Sequence, residues 1–186
     1  DIEIRLNNVK HVCDTLTNSH AMKQVLGVIL ACGNYMNGGN KQRGQADGFA
    51  IDILPKIKDV KSRDNSMTLL QYVVRFCIVR FDDNKGTPQA MLPVPDSSDV
   101  ERCSMLNFDD QRRDCDKLKV DLEKVRRNTE NVIEKSDPEH LEPFKTKMTS
   151  FLDSANASLE ELQELVGECS KRFIDTMKFY KFSAKD

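Results

Sequence analysis

The chain has 186 residues, 39% of them hydrophobic and 31% charged, and a formal net charge of -2, which fits one soluble globular or helical-rod domain with a sizeable core. So small a net charge gives no global attraction to nucleic acid or to membrane, and any electrostatic attraction to a partner must be local. The longest apolar run, Val25 to Cys32, is far short of the roughly 20 residues needed to cross a bilayer, and Asp1 and Glu3 stand where a secretory signal would carry positive charge.

Taken in chain order, the first half reads as helix broken by loops. Ile2, Leu6, Val9, Cys13 and Leu16 recur at steps of three and four, which predicts one helical face over 1–16, and Thr17-Asn18-Ser19 supplies a break and an N-cap. A second helix is expected over about 20–37. It runs into Gly33-Asn34-Tyr35-Met36-Asn37, after which a polar, glycine-rich excursion reaches Gly48-Phe49. Beyond it, Asp52 is expected to cap a short helix with Pro55 in its first turn. Asn65 or Ser66 is expected to start a helix to about Arg80, with Leu69, Val73, Phe76 and Val79 on one face. Residues 84–98, with Gly86, Pro88, Pro93 and Pro95, read as a connector, and a helix follows over about 98–105.

From Phe108 the pattern changes. Phe108, Gln111, Cys115, Leu118, Leu122, Val125, Thr129 and Val132 alternate steps of three and four, a heptad seam. Leu141, Phe144, Met148, Phe151, Ala155, Ser158, Leu162, Leu165 and Cys169 form a second seam after Ser136-Asp137-Pro138. Two long helices joined there predict an antiparallel coiled-coil hairpin, with apposition of 108–135 and 139–180. The polar and small members, Gln111, Thr129 and Ser158, imply that other helices of the chain also pack on it. No β-sheet is expected. The chain reads as all-α, an elongated rod, with a helical region carrying the glycine-rich loop over 1–106 and the hairpin over 107–186.

The stretch Gly33-Asn34-Tyr35-Met36-Asn37, followed by Gly48-Phe49, Leu54, Lys56, Asp59, Lys61 and Met67-Thr68-Leu69-Leu70, resembles the formin homology 2 domain, the actin-assembling module of formins. The insertion from Gly38 to Phe49 and the segment Met177 to Ser183 resemble the formin and Cappuccino subgroup. The resemblance implies a non-covalent function with no cofactor: two domains form a head-to-tail ring that nucleates filaments and then caps and elongates barbed ends. It also implies a cytoplasmic, cytoskeleton-associated protein whose partners are actin and a second formin subunit. Gly33, Asn34, Tyr35, Asn37, Gly48, Phe49 and Leu54 would shape the groove of the "post" that receives the second subunit's "lasso". In that groove Tyr35 and Phe49 would give apolar wall, and Asn34 and Asn37 would bond exposed backbone. Family domains are about twice this long, so the chain is expected to hold the post and much of the coiled coil, to be monomeric, and to be inactive in nucleation alone.

A plainer reading accompanies each site. Gly33, Asn34 and Asn37 also fit an ordinary helix C-cap. Between 41 and 63 there are six basic residues (Lys41, Arg43, Lys56, Lys58, Lys61, Arg63) and three acids (Asp47, Asp52, Asp59); such a run is often only a solvated face. By the resemblance, Lys61 matches a position implicated in actin contact, with Lys56, Lys58 and Arg63 as its neighbours in that role. Catalysis has no support in the sequence. The glycine loop lacks Gly-Lys-Ser/Thr and follows a helix, and His11, His20 and His140 stand apart from any nucleophile. Cys13, Cys32, Cys77, Cys103, Cys115 and Cys169 are scattered singly without metal-ligand spacing, and are expected to be reduced core residues of a cytosolic protein. The alternative function is a helical scaffold or adaptor whose heptad hairpin binds partner helices.

Overall fold

A computed structural model describes residues 2–40, 45–89 and 94–181. Lys41 and Arg43 of the basic run, Gly44 of the loop, Pro93 of the connector, and Phe182 and Ser183 of the C-terminal segment lie outside these. Among the described residues there are six α-helices: α1 (Ile2–Asn18), α2 (His20–Met36), α3 (Leu69–Phe81), α4 (Ser97–Ser104), α5 (Phe108–Lys135) and α6 (Phe144–Phe179), with 3₁₀ turns at Ile51–Lys56 and Pro138–His140. Among the described residues the only β pairing is an isolated antiparallel bridge between Lys61 and Thr68.

The contacts divide the chain into two compact units, one of residues 1–10 and 101–172, the other of 11–100 and 173–186. In the first, Leu6, Cys115, Leu159, Val166 and Cys169 make a buried cluster on which Leu122, Leu162 and Leu165 pack. The Cys169 thiol donates to the Leu6 carbonyl at 3.4 Å. Arg112 near the start of α5 donates to Ser170 near the end of α6, while Leu122 and Val125 line a groove with Ala155, Leu159 and Leu162. The two long helices are therefore antiparallel, as their seams require. Leu6 of α1 completes the cluster, so a further helix does pack on the hairpin. In the second unit, Ile29 of α2, Val73 and Cys77 of α3, and Ile57 between them form the buried cluster.

Local details depart from the sequence expectations, each for a physical reason. Asp52 caps nothing: Ala50 occupies the N-cap without a side-chain bond, and Asp52 instead pairs with Lys56 at 3.0 Å. Pro55 lies in the second half of that 3₁₀ turn, not its first turn. Neither Asn65 nor Ser66 starts α3, because Thr68 and Gln71 form a reciprocal capping box that satisfies two otherwise unpaired amides. Asn65 sits in a turn at φ 57°. On α3 the buried residues are Val73 and Cys77, and Phe76 and Val79, expected on one face with Val73, are exposed. In the α6 seam Cys169 is buried and Met148, Ala155, Leu162 and Leu165 are half-buried, but Phe151 and Ser158 are exposed, and Leu152, Leu159 and Val166 are buried instead. On α5, Gln111, Cys115 and Thr129 are buried while Leu118 and Val132 are exposed. Thr129 is tolerated inside because its hydroxyl donates to the Val125 carbonyl at 2.8 Å.

Candidate functional site

The end of α2 is closed by its own backbone. The amide of Asn37, its C-cap, donates to the Gly33 carbonyl at 3.0 Å, and Gly39 follows at φ +85°, a conformation that favours glycine. At Gly38 a Cβ would come to 3.0 Å from the Tyr35 carbonyl oxygen, so this turn is also tight. The plainer C-cap reading thus fits Asn37, whose amide closes the helix. Asn34 does more. Its side chain donates to the Ala46 carbonyl and accepts from the Ala46 amide, both at 2.9 Å, pairing with main chain twelve residues away as a neighbouring strand would.

The loop returns through Gly48 to Phe49, which packs with Leu54 against the Ile29–Ile57–Val73–Cys77 cluster. Phe49 and Leu54 are anchors of the loop. Tyr35 stands apart from them, 89% exposed, and Gly33 and Gly48 have open space where a Cβ would lie. Asn34→Ala is expected to release the Ala46 end of the clamp at a cost of about 1 kcal/mol. Hydrogen exchange at the Ala46 amide should then accelerate about fivefold or more, with amides inside α2 unchanged.

Past Ile57 the chain makes the basic turn. The Ser62 amide donates to the Met67 carbonyl at 2.9 Å, and the Leu69 amide to the Val60 carbonyl at 2.8 Å, so Lys61 opposite Thr68 is fixed to the entry of α3. At the tip the Asp64 carboxylate accepts first from the Ser62 hydroxyl and then from Ser66, which holds its pKa down at about 2. Sequence reading missed this clasp; the signal for it is Ser62, Asp64 and Ser66 at alternate positions, a pattern suited to side-chain-to-backbone turns. Lys56 is engaged by Asp52. Lys58, Lys61 and Arg63 have no ion-pair partner among the described residues and project from a fixed backbone.

The pKa of Asp64 gives a pH prediction. Its folded value lies below the roughly 3.9 of an unfolded aspartate, so its contribution is fully present above that value and is lost as pH falls through about 2. An NMR titration should show the Asp64 carboxyl carbon and the Ser66 amide moving together with a midpoint at about 2. A midpoint near 4, the ordinary value, would mean the clasp does not form.

None of the six cysteines is in a disulfide among the described residues, and burial pushes the thiols of Cys32, Cys77 and Cys115 above their usual pKa. They are packing residues held as thiols.

The family model described as Formin Homology 2 Domain matches residues 1–186. The chain is 42% identical to human Formin-2 over 184 residues, which is 99% of this chain and 11% of that protein. It is 41% identical to Protein cappuccino of Drosophila melanogaster, covering 97% of this chain and 17% of that protein. Identity to Protein diaphanous homolog 3 of Mus musculus is lower, 28%, over 98% of this chain and 16% of that protein. The chain thus spans no more than 17% of the length of these relatives, and it resembles Formin-2 and cappuccino more than the diaphanous homologue.

Proposed function

Because the chain belongs to the formin homology 2 domain family, we propose that it is an actin-binding part of a formin that nucleates filaments and stays at their growing barbed ends. In this reading Lys61 makes the first contact with actin, supported by Lys58 and Arg63, with Lys56 at the edge and partly committed to Asp52. The observation that carries it is that Lys58, Lys61 and Arg63 have no ion-pair partner among the described residues and stand on a turn pinned by two backbone hydrogen bonds. Charge held in place without an internal partner is available to an acidic protein such as actin, where complementarity speeds encounter and sets orientation.

The groove residues take the second role. The Asn34–Ala46 clamp and the half-buried Phe49 and Leu54 hold the loop in one shape, which suits it to receive the lasso of a second subunit, with the exposed Tyr35 to meet it. No covalent step is involved; binding energy holds actin subunits in filament geometry. The proposed location is the actin cytoskeleton in the cytoplasm. Among the described residues no helix is long and apolar enough to cross a membrane.

Pyrene-actin assembly tests this. Within a complete formin homology 2 domain, Lys61→Asp should slow nucleation and weaken barbed-end association while the domain stays dimeric. Gly33→Val or Asn37→Asp should loosen the dimer first. The isolated chain should bind actin without accelerating assembly, because one edge lacks the second bridge whose linkage raises avidity by roughly 10² or more. Wild-type assembly kinetics from a folded, dimeric Lys61→Asp domain would remove Lys61 from the site. The scaffold reading has one feature in its favour, an apolar groove of about 380 Å³ between α5 and α6 that includes Leu118, Leu122 and Phe151. A scaffold would be indifferent to charge at Lys61.

A further inference from the structure

The outward face of α3 is apolar where a free surface helix is usually polar. Tyr72, Phe76 and Val79 stand at i, i+4 and i+7 and are 46%, 38% and 55% exposed. Their aromatic surface is continuous, with the Tyr72 and Phe76 rings 6.2 Å apart and the Phe76 and Phe81 rings 6.0 Å apart. A contiguous stripe of this kind marks an interaction surface more often than an accident of packing.

Charge narrows the identity of what covers it. Arg75 lies one turn after Tyr72 on the same face and Arg80 one turn after Phe76, and neither has an ion-pair partner among the described residues. The helix Leu69–Phe81 contains no acidic residue. We propose that the stripe Tyr72–Arg75–Phe76–Val79, flanked by Arg80, is a docking surface for an acidic amphipathic helix of a partner protein. The partner's apolar residues at i, i+3, i+4 and i+7 lie along the aromatic stripe, and its carboxylates meet the two guanidinium groups, which match carboxylate geometry. A second copy of the chain fits poorly, because two such faces would bring arginines together. An anionic membrane fits poorly as well, since lipid-binding clusters use about 4–8 basic residues and this helix has two.

The test is an amide NMR titration of the chain with a synthetic helical peptide bearing leucines at i, i+3, i+4 and i+7 and glutamates along both edges. A second peptide has the same leucines with glutamine for every glutamate. Perturbations are expected at amides 71–80. The affinity should fall roughly tenfold or more for the glutamine peptide, for the Arg75→Glu/Arg80→Glu variant and for the Tyr72→Ser/Val79→Ser variant. A lysine-edged peptide should bind the Arg75→Glu/Arg80→Glu variant better than the original chain, which a merely unfolded variant could not produce. Perturbations mapping away from α3, or equal affinity for the glutamate and glutamine peptides, would overturn the proposal. Tighter association of the stripe with phosphatidylserine vesicles than with the peptide, or self-association that buries it, would overturn it too.

Discussion

Leu6→Ala is expected to lower the stability of the unit containing residues 1–10 and 101–172 by about 3 kcal/mol, within the range for buried leucine truncations. Leu6 is 0% exposed and sits among Cys115, Leu159, Val166 and Cys169. Its neighbours come from α5 and α6, each held by its own helix, so the cavity cannot collapse by moving one side chain. Ile4 lies on the same helix, only two residues away, but is 73% exposed, so Ile4→Ala should cost no more than about 0.5 kcal/mol. In a thermal melt the Leu6 variant should unfold roughly 6–12 °C below the original for a chain of this size. Equal melting temperatures for the two variants would mean that α1 does not complete the hairpin core.

The helices were largely legible in the sequence because they bury one face each. The apolar period of α1 and α2, the Ser19 cap and the two long seams place those elements to within a few residues. The structure differs from the sequence expectations where two patterns share residues. Around Met148, Ala155, Leu162 and Cys169, both Phe151/Ser158/Leu165 and Leu152/Leu159/Val166 complete a heptad, and neither period nor hydrophobicity separates them completely. Packing does: Leu159, Val166 and Cys169 share a buried cluster with Leu6, a residue more than 150 positions away. On α3 the apolar residues outnumber the core positions, so spacing alone does not separate Phe76 and Val79 from Cys77, which is equally well spaced from Val73. The capping box at Thr68 was readable, since only there among the nearby candidates Asn65, Ser66 and Thr68 does glutamine follow at the third position.

The loop was legible in a different way. No periodicity predicts that Asn34 will bond Ala46, because the pairing is a side chain imitating a strand across an irregular segment. The resemblance to formins located this region without revealing its geometry. The structure supplies the cause, an asparagine amide that satisfies both main-chain groups of one residue, and it separates the loop's anchors, Phe49 and Leu54, from its exposed Tyr35. Likewise the basic run was visible as composition, whereas the distinction between the committed Lys56 and the unpaired Lys58, Lys61 and Arg63 needed coordinates.

The largest functional effect is expected from reversing that unpaired charge. Lys58→Asp/Lys61→Asp/Arg63→Asp changes the local charge by six units without touching a buried side chain or either backbone bond of the turn. Attraction carried by exposed charges also fades with salt, as the Debye length falls from about 30 Å at 0.01 M to about 8 Å at 0.15 M ionic strength. The most direct measurement is the fluorescence anisotropy of the labelled chain titrated with short actin filaments at both ionic strengths, beside the triple variant and a Lys119→Asp control on α5. Weak binding by the original chain and the control is expected to decline with salt, and binding by the triple variant is expected to be at least about tenfold weaker. A folded triple variant that binds actin as well as the original chain at low salt would contradict this.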